Sequence, residues 1–278
     1  MSSEKYYKIL MDGKSLHGGS LEWSLPKGDK PGEWYEAKGV LSLRDNGLHV
    51  TKTPAAWWAD GAECFEVEWD GEKIDGDNMA VVRKCRLVRM LTDEDLCRLG
   101  IFRSGSHEVK GGTVAASGSA CVRATGSASV AAYGSASVDA YGSVSVTAYG
   151  SASVIAFDYA SVRAYDYADV RAYISASVRA CDYANVTAYG SASVIVNDYA
   201  SATAYDYASV AAYGSAIVIA YDYASVRAYG STSVRAQSHS TVNTYSDSAK
   251  QNVKMKGHAV HIDRSVLPPV ISTGWTKS

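Results

Sequence analysis

The sequence lacks the features that mark several large functional classes. Its formal net charge is −2 over 278 residues, so composition gives no reason to expect binding to nucleic acid or to an anionic membrane. No apolar run approaches the roughly 18 residues of a membrane span, and the polar residues 1–8 do not resemble a signal peptide. No glycine-rich phosphate-binding loop is present. We therefore expect no membrane insertion, no nucleic-acid partner and no cofactor.

Cysteine is scarce, and its spacing does not indicate disulfides or a metal site. The five cysteines form no Cys-x-x-Cys motif and are odd in number, which suits a reducing compartment better than secretion. They are Cys64, Cys85, Cys97, Cys121 and Cys181. This pattern predicts a cytoplasmic protein.

Phenylalanine is rare, whereas tyrosine is abundant and unevenly placed. There are 3 phenylalanines and 20 tyrosines, and 17 of the tyrosines lie between residues 116 and 251. Ordinary core aromatic residues would not be segregated in this way. The distribution therefore indicates an internal repeat, which decides the fold where one exists.

The repeat is an octad of the form Ala-Tyr-Gly-Ser-Ala-Ser-Val-x. It starts at Ala116 and continues without insertion to Gln251, so that 136 residues make 17 octads. Positions 5, 7 and the next position 1 are apolar and two residues apart, whereas the positions between them are mostly Ser, Tyr, Thr, Arg or Asp. This alternation predicts a strand with one buried face, and Gly or Asp at position 3 predicts a corner.

One octad cannot bury its own apolar face, so octads must pack against each other. Two facing octads would make a 16-residue coil, and three would make a triangular coil of 24 residues. We favour two, because alanine and valine are small enough for two sheets to close on each other, whereas a triangle would leave a central void. The predicted fold class is mainly β: a β-solenoid, or β-helix, of octapeptide repeats with about 16 residues per coil.

A 16-residue coil aligns position 2 of alternate octads in two columns. One column would hold six consecutive aromatic residues: Tyr141, Phe157, Tyr173, Tyr189, Tyr205 and Tyr221. The other would hold Tyr133, Tyr149 and Tyr165, lose its aromatic residues at Cys181 and Asn197, and resume at Tyr213 and Tyr229. Around that interruption the corner changes from Gly-Ser to Asp-Tyr, which places Tyr167, Tyr183 and Tyr199 in a further column. A 24-residue coil would scramble these columns.

The flanking segments lack the repeat. Residues 1–103 are predicted to be a small α+β domain, with strands at Tyr6–Met11, Glu63–Trp69 and Met79–Met90 and helices that start after Thr53 and Thr92. Residues 104–251 are predicted to be the solenoid, and 252–278 a C-terminal cap or association segment. A solenoid end exposes core and unpaired strand edge, so we expect the N-terminal domain to cover one end and the C-terminal segment the other. The alternative is that one end stays uncovered and forms homo-oligomers.

The N-terminal motifs carry a resemblance that spans nearly the whole chain. Asn46-Gly-Leu-His-Val50, Thr-x-x-Pro-x-x-Trp-Trp and Glu66-Val-Glu, followed by octapeptide repeats, resemble a family of uncharacterised bacterial and phage proteins. In that family a Gly-Leu/Phe-His domain precedes repeats rich in Ala, Ser, Gly and Tyr. The resemblance brings no established activity. It implies a phage or prophage setting, in which the protein would act in the host cytoplasm or belong to the virion.

Two further resemblances offer alternatives. Gly47-Leu-His-Val-Thr51, Ala55-Ala-Trp-Trp-Ala59 and Phe65-Glu-Val-Glu68 resemble part of the ADP-ribosyltransferase fold, although the early His or Arg and the late catalytic Glu of that family have no counterpart here. The octad also resembles the repeats of bacterial ice-nucleation proteins, which would imply an ice-binding solenoid. Position 8 varies irregularly between charged and apolar residues along the repeat, however, and this irregularity disfavours a match to an ice lattice.

No group of side chains indicates catalysis or metal binding. His258 and His261 lack a third ligand, so we interpret them as surface histidines, and His239 is the only histidine in the octads. The basic run from Arg83 to Arg89 alternates with apolar residues and is interpreted as a solvated strand face. We therefore expect no catalytic residue and no metal site.

The outward positions of the octad predict a binding function. A rigid rod that displays Tyr, Ser and Arg has the composition of a protein-binding surface. We expect a non-catalytic scaffold that engages a protein partner, with an inhibitor of a host protein (a phage counter-defence factor) as its specific form and a self-assembling or virion structural protein as the close alternative. The predicted partner-binding residues are Tyr141, Phe157, Tyr173, Tyr189, Tyr205, Tyr221, Tyr167, Tyr183, Tyr199, Arg163, Arg171 and Arg179.

Overall fold

The structure is a computed structural model that describes residues 4–16 and 21–274. The chain divides into two compact units, one of Met1–Arg103 with Thr113–Ala115 and one of Ser104–Gly112 with Ala116–Ser278. Strands make up 48% of the structure and helices 5%, which confirms the predicted mainly β class.

The first unit contains an antiparallel sheet built on one long hairpin. Its strands are β1 (Tyr6–Met11), β2 (Lys14–Ser15), β3 (Tyr35–Glu36), β4 (Leu48–Val50), β5 (Glu63–Asp75) and β6 (Ala80–Met90). β1 pairs with β2 and β5, and β6 pairs with β5, β4 and β3. The backbone of Tyr7 also pairs with Thr51, directly after β4. One further strand, Ile101–Phe102, also lies wholly in this unit.

The core of this sheet follows the predicted alternation of side chains. Tyr6 and Leu10 of β1 pack with Phe65 and Val67 of β5 in one cluster of buried residues. Trp69, at the predicted end of the strand, is half-buried at the margin of the cluster. β5 runs six residues beyond its predicted end because it pairs with β6 on both sides of a register shift at Asp70/Lys73.

The short helices begin where the sequence predicts, and the basic residues of β6 lie on a strand as predicted. Asp93–Arg98 is an α-helix, and the Thr92 and Asp95 side chains form the predicted capping box. The turn after Thr53 is a 3-10 helix, Pro54–Trp57, without a side-chain cap from Thr53. The arginines of β6 form cross-strand ion pairs with β5: Arg83–Glu72 at 2.5 Å, Arg86–Glu68 at 2.7 Å and Arg89–Glu66 at 3.0 Å.

The second unit is the predicted solenoid, with about ten turns of roughly 16 residues. One parallel sheet, the first face, contains Ser106–Val109, Cys121–Ala124, Ser137–Ala140, Ser153–Ala156, Asp169–Ala172, Asn185–Ala188, Ser201–Ala204, Ile217–Ala220, Ser233–Ala236 and Val253–Met255. The second face contains Ser129–Ala132, Ser145–Ala148, Ser161–Ala164, Ser177–Ala180, Ser193–Val196, Ser209–Ala212, Ser225–Ala228, Thr241–Thr244 and Val260–Asp263. The strand Thr113–Ala116 precedes them in the chain. From Cys121 to Thr244 each strand pairs in parallel with the strand sixteen residues along the chain, as in Val138↔Val154, which confirms two octads per coil.

Alanine and valine fill the interior of the solenoid as the octad predicts. Positions 1, 5 and 7 are buried in each of the sixteen octads from residue 116 to residue 243, as Ala132, Ala136 and Val138 illustrate at 0% exposure. Two buried polar residues, Thr232 and Ser240, replace alanine at position 5, and each hydroxyl donates to the carbonyl three residues earlier. Thr232 Oγ1 donates to the Tyr229 carbonyl at 2.6 Å, and Ser240 Oγ to the Gln237 carbonyl at 2.7 Å, so neither leaves an unpaired buried polar group.

The corners require a left-handed backbone at position 3. Gly134 has φ 60° and Asp166 has φ 55°; glycine adopts this region freely, and aspartate tolerates it better than most residues. Aspartate adds a hydrogen bond between coils, because its carboxylate accepts from the backbone N–H of the corner residue sixteen positions earlier. Five such bonds have lengths of 2.9–3.3 Å: Gly142 to Asp158, Gly150 to Asp166, Asp166 to Asp182, Gly190 to Asp206 and Asp206 to Asp222.

The C-terminal end differs from the predicted division. Asp247–Gln251 forms an α-helix instead of the last octad strand, and its Lys250 stands where the octad has valine. The solenoid then resumes after an offset of nineteen residues, with Val234↔Val253 and Thr241↔Val260. Val270–Thr273 pairs antiparallel with Val260–Asp263 and is the last strand of its sheet. Residues 275–278 of the predicted cap lie outside the described residues.

Ile174 is the one β-branched residue among the described left-handed corners, at φ 64°, so replacing it should stabilise the solenoid. An Ile174→Asp substitution removes a strain of roughly 1–2 kcal/mol and introduces the carboxylate that other corners use. We expect the free energy of unfolding to rise by about 1 kcal/mol, measured as a higher midpoint of thermal unfolding. Ile195→Asp, an exposed isoleucine in an ordinary strand, is the matched control and should lower the midpoint. A similar loss in both variants would contradict this account of the corner.

Candidate partner-binding surface

The six-aromatic column (Tyr141, Phe157, Tyr173, Tyr189, Tyr205 and Tyr221) forms a continuous stack along one edge of the solenoid. Neighbouring ring centroids lie 4.8–5.0 Å apart, and their planes are within 13° of parallel. The spacing follows from the separation of adjacent strands, because one ring occurs at the same place in each coil. The structure therefore confirms the column.

The rings of this column are half-buried against their neighbours. Burial raises the pKa of the Tyr205 hydroxyl, and the stacked phenols of Tyr221 and Tyr189 raise it further. The hydroxyl therefore stays protonated and uncharged at neutral pH. Much of the aromatic surface of this column is already used within the solenoid.

The second position-2 column is interrupted where the sequence predicts. Tyr133, Tyr149 and Tyr165 stack at 5.3 Å, and the stack resumes at Tyr213 and Tyr229 at 4.8 Å. Cys181 and Asn197 occupy the gap, where Asn197 Nδ2 lies 3.7 Å from Cys181 Sγ. Tyr245 extends the column by a further ring at 4.7 Å from Tyr229, which the predicted column did not include.

The two columns lie at opposite edges of the solenoid. Each coil has two corners, and each corner joins the first face to the second face or back again. The six-aromatic column follows strands of the first face, whereas Tyr167, Tyr183 and Tyr199 lie at corners that follow strands of the second face. The twelve predicted partner-binding residues therefore do not form a single surface.

Five of the predicted residues lie at, or on the strands directly before, the corners of the edge where the second position-2 column is interrupted. We call Tyr167, Tyr183, Tyr199, Arg163 and Arg179 the tyrosine–arginine patch. Its three tyrosines stack at 5.4 and 5.5 Å, yet they remain 65%, 52% and 60% exposed because position 4 points away from the corner. Arg163 and Arg179 lie on the second-face strands that precede these corners, whereas the predicted Arg171 lies on the first face and is not part of the patch.

The arginines of the patch are exposed, and no ion pair engages them within the described parts of the chain. Arg163 and Arg179 are register partners on adjacent strands, so two like charges lie side by side. The nearby corner carboxylates are engaged elsewhere, because Asp166 accepts from the Gly150 backbone and Asp182 from the Asp166 backbone. The guanidinium groups are therefore available to a carboxylate from another molecule.

A second exposed column was not predicted. At the other edge, Tyr207, Tyr223, His239 and His258 stack with ring centroids 5.4, 5.2 and 4.9 Å apart. The Asp-Tyr corners at residues 206–207 and 222–223 are a sequence signal for its first half. The place of His258 depends on the nineteen-residue offset, which the octad alone does not reveal.

His258 and His261 do not share a site. His258 is exposed in the stack, whereas His261 is buried and faces Thr244 Oγ1 across 2.8 Å from its Nε2 atom. The interpretation of both as surface histidines is thus wrong for His261, which occupies a core position opposite Val242. Across residues 4–16 and 21–274, no group of three or more His, Cys, Asp or Glu side chains is placed to hold a metal ion.

Comparison with known proteins identifies no relative. No family model, no curated protein and no solved structure matches this chain. In the described part of the chain, no helix combines the length and the apolar character that crossing a membrane requires.

The two kinds of tyrosine should differ in their contribution to stability. Tyr189 is half-buried between rings at 5.0 Å on both sides, whereas Tyr183 is mostly exposed between rings at 5.4 and 5.5 Å. Tyr189→Ser should therefore lower the free energy of unfolding by about 1–3 kcal/mol, and Tyr183→Ser by less than about 1 kcal/mol. Urea unfolding followed by circular dichroism measures both, and equal losses would show that the exposed column is as structural as the half-buried one.

Proposed function

We propose that this chain is a non-catalytic binding scaffold whose tyrosine–arginine patch contacts a protein partner. The observation that carries the proposal is the row of three exposed, stacked tyrosines next to arginines that form no ion pair with any described residue. Tyrosine and arginine are the residue types that most often dominate the energy of protein interfaces. A surface that served only to cover the solenoid would not need exposed aromatic rings, since Gly-Ser corners support the same fold.

Preorganisation of the patch supports this function. Parallel backbone hydrogen bonds connect adjacent coils at the corners, with the Tyr183 N–H donating to Asp166 at 2.9 Å and the Tyr199 N–H to Asp182 at 3.0 Å. Stacking restricts the tyrosine rings before any partner arrives. A partner would therefore lose little affinity to the ordering of these side chains.

The charges of the patch indicate what its partner presents. Arg163 and Arg179 lie side by side, and no carboxylate in residues 4–16 or 21–274 pairs with either of them, which is unfavourable in the free protein. A carboxylate from a partner would relieve that repulsion and form charge-assisted hydrogen bonds. We therefore expect the partner to combine an acidic side chain on this side with apolar groups over the tyrosine rings.

The other expectations from the sequence carry less support. Position 8 of the first face includes Arg123, Asp139, Ile155, Arg171 and Thr187 on successive strands, and such a mixture offers no regular array to an ice lattice. The order strand, short helix and strand at residues 48–75 is what the ADP-ribosyltransferase resemblance implies, but it supplies no catalytic group. A phage or prophage setting, a host target and a cytoplasmic location rest on the sequence arguments alone.

The proposal is tested by comparing two sets of variants in affinity capture from a host lysate. Tyr167, Tyr183 and Tyr199 are changed together to serine, the residue that this chain uses at its other corners. The matched control changes Tyr207 and Tyr223, equally exposed at the opposite edge, to serine. We expect the wild type and the control to retain the same protein, and the triple variant to lose at least about tenfold of it by quantitative mass spectrometry, a difference of about 1.4 kcal/mol. Equal retention by both variants would refute the proposal.

Self-assembly is a second candidate, which the C-terminal strand favours. Val270–Thr273 lies at the end of its sheet, and within the described ranges no strand pairs with its outer edge. Its four residues are uncharged and exposed, with Val270 at 53% and Ile271 at 66%. Natural proteins usually protect such an edge with charge, proline or a covering segment.

A charge on this edge should abolish self-assembly if the strand mediates it. We expect the wild type to form dimers or larger species by light scattering, and Ile271→Lys to be monomeric because a buried lysine would oppose strand pairing. Ile217→Lys is the matched control, since Ile217 is similarly exposed on the first face but does not lie at a sheet end. A wild type that is monomeric at high concentration would exclude this candidate.

A further inference from the structure

The first unit contains a cavity of about 460 Å³ between β1 and β4. Its apolar lining includes Leu16, Leu21, Leu48, Trp57 and Met79. A cavity of this volume falls in the range that binds small molecules. The proposed protein-binding function involves none of these residues.

Lys8 is the buried cation of this cavity. It shares the inward face of β1 with Tyr6 and Leu10, and only 7% of it is exposed. Its Nζ atom donates to the His49 carbonyl at 2.8 Å and lies 5.0 Å from the centroid of the Trp23 ring. No carboxylate within residues 4–16 and 21–274 forms an ion pair with it.

The described residues around Lys8 supply no counter-ion for its charge. Burial lowers the pKa of Lys8 to about 8, and the neighbouring Cys85 offsets this effect only in part. Burial also raises the pKa of the Cys85 thiol to about 12, so that this thiol is neutral at neutral pH. The other polar groups of the cavity include the His49 ring, which contacts the Leu43 carbonyl, and the exposed Arg44 and Asp45. Lys8 is therefore mostly protonated at pH 7, and an anion in the cavity would compensate its charge.

We propose that this cavity binds a small planar, apolar molecule with one negatively charged group, and that Lys8 is the counter-ion of that group. The apolar walls and the rings of Trp23 and Trp57 suit the planar part. A carboxylate or sulfonate is the group that a single buried ammonium recognises best. The proposal is independent of the partner-binding patch, since the cavity and the patch belong to different units.

The test uses two fluorescent probes with the same aromatic skeleton on the full-length protein. 1-Anilinonaphthalene-8-sulfonate carries a sulfonate, and N-phenyl-1-naphthylamine is its neutral counterpart. Lys8→Met keeps the shape of the side chain and removes the charge. Lys14→Met is the matched control, because Lys14 lies on β2 of the same unit, is exposed and does not line the cavity.

We expect Lys8→Met to weaken binding of the sulfonate probe at least about tenfold at pH 7, the scale of one lost charge-assisted interaction. The neutral probe should bind both proteins within about twofold, and Lys14→Met should change neither probe. If Lys8 only bridges β1 to the His49 carbonyl, its substitution will change stability but leave the preference for the anionic probe intact. That result, or an equal loss for both probes, would overturn the proposal.

The pH dependence provides a second readout on the same proteins. The sulfonate stays ionised over this pH range. Lys8 attracts it only while its amine is protonated. Affinity should therefore be constant below pH 7 and fall by about tenfold between pH 7 and pH 9.5 as Lys8 loses its proton. The Lys8→Met variant should show a flat profile. A profile that falls equally in the variant would assign the effect to another group and overturn the role of Lys8.

Discussion

Backbone hydrogen bonds between parallel strands in a register of sixteen residues hold the solenoid together. Alanine and valine contribute little apolar area per coil, so the hydrophobic term per residue is smaller than in an ordinary core. Hydrogen bonds of the parallel ladders therefore contribute much of the stability. They continue through the corners, where the Ser151 N–H donates to the Gly134 carbonyl at 2.9 Å. Because the ladders fix one register for every coil, each outward position becomes a column with the spacing of adjacent strands.

The register explains why so much of the solenoid could be predicted from the sequence. The alternation of apolar and polar residues within the octad determines which side chains are buried. The number of octads per coil, two, determines which rings stack. The six-aromatic column and the interruption at Cys181 and Asn197 follow from these two facts alone. The topology also places the six-aromatic column and the column of Tyr167, Tyr183 and Tyr199 at opposite edges of the solenoid. This placement becomes clear only when each corner is assigned to one of the two edges.

Other features depend on contacts that no local pattern encodes. The helix Asp247–Gln251 replaces an octad whose core positions are polar, and the nineteen-residue offset that it creates puts His261 inside. In the first unit, Lys8 shares the inward face of β1 with Tyr6 and Leu10, which is a signal in the sequence, yet the cavity beside it is lined by residues from β1, β4 and segments far apart in the chain. Tertiary packing sets both features.

The outward substitutions divide between structural and binding roles. The rings of the six-aromatic column are half-buried and stack along the edge, so they mainly protect and order the solenoid. Rings at position 4 occur with corner aspartates, which bond to the preceding coil and leave the tyrosine exposed. The chain thus strengthens a corner and presents a ring with the same two-residue change from Gly-Ser to Asp-Tyr.

The most direct test of the account is a distance along the second face. Ser129 and Ser225 occupy the same octad position, six steps apart in the register of sixteen. Spin labels at these sites, with the native cysteines replaced, should report a single distance near 29 Å between the labelled backbones at ~4.8 Å per coil. A coil of three octads would place the same residues four coils apart, at about 19 Å. A distance near that value, or a broad distribution, would contradict the two-octad coil.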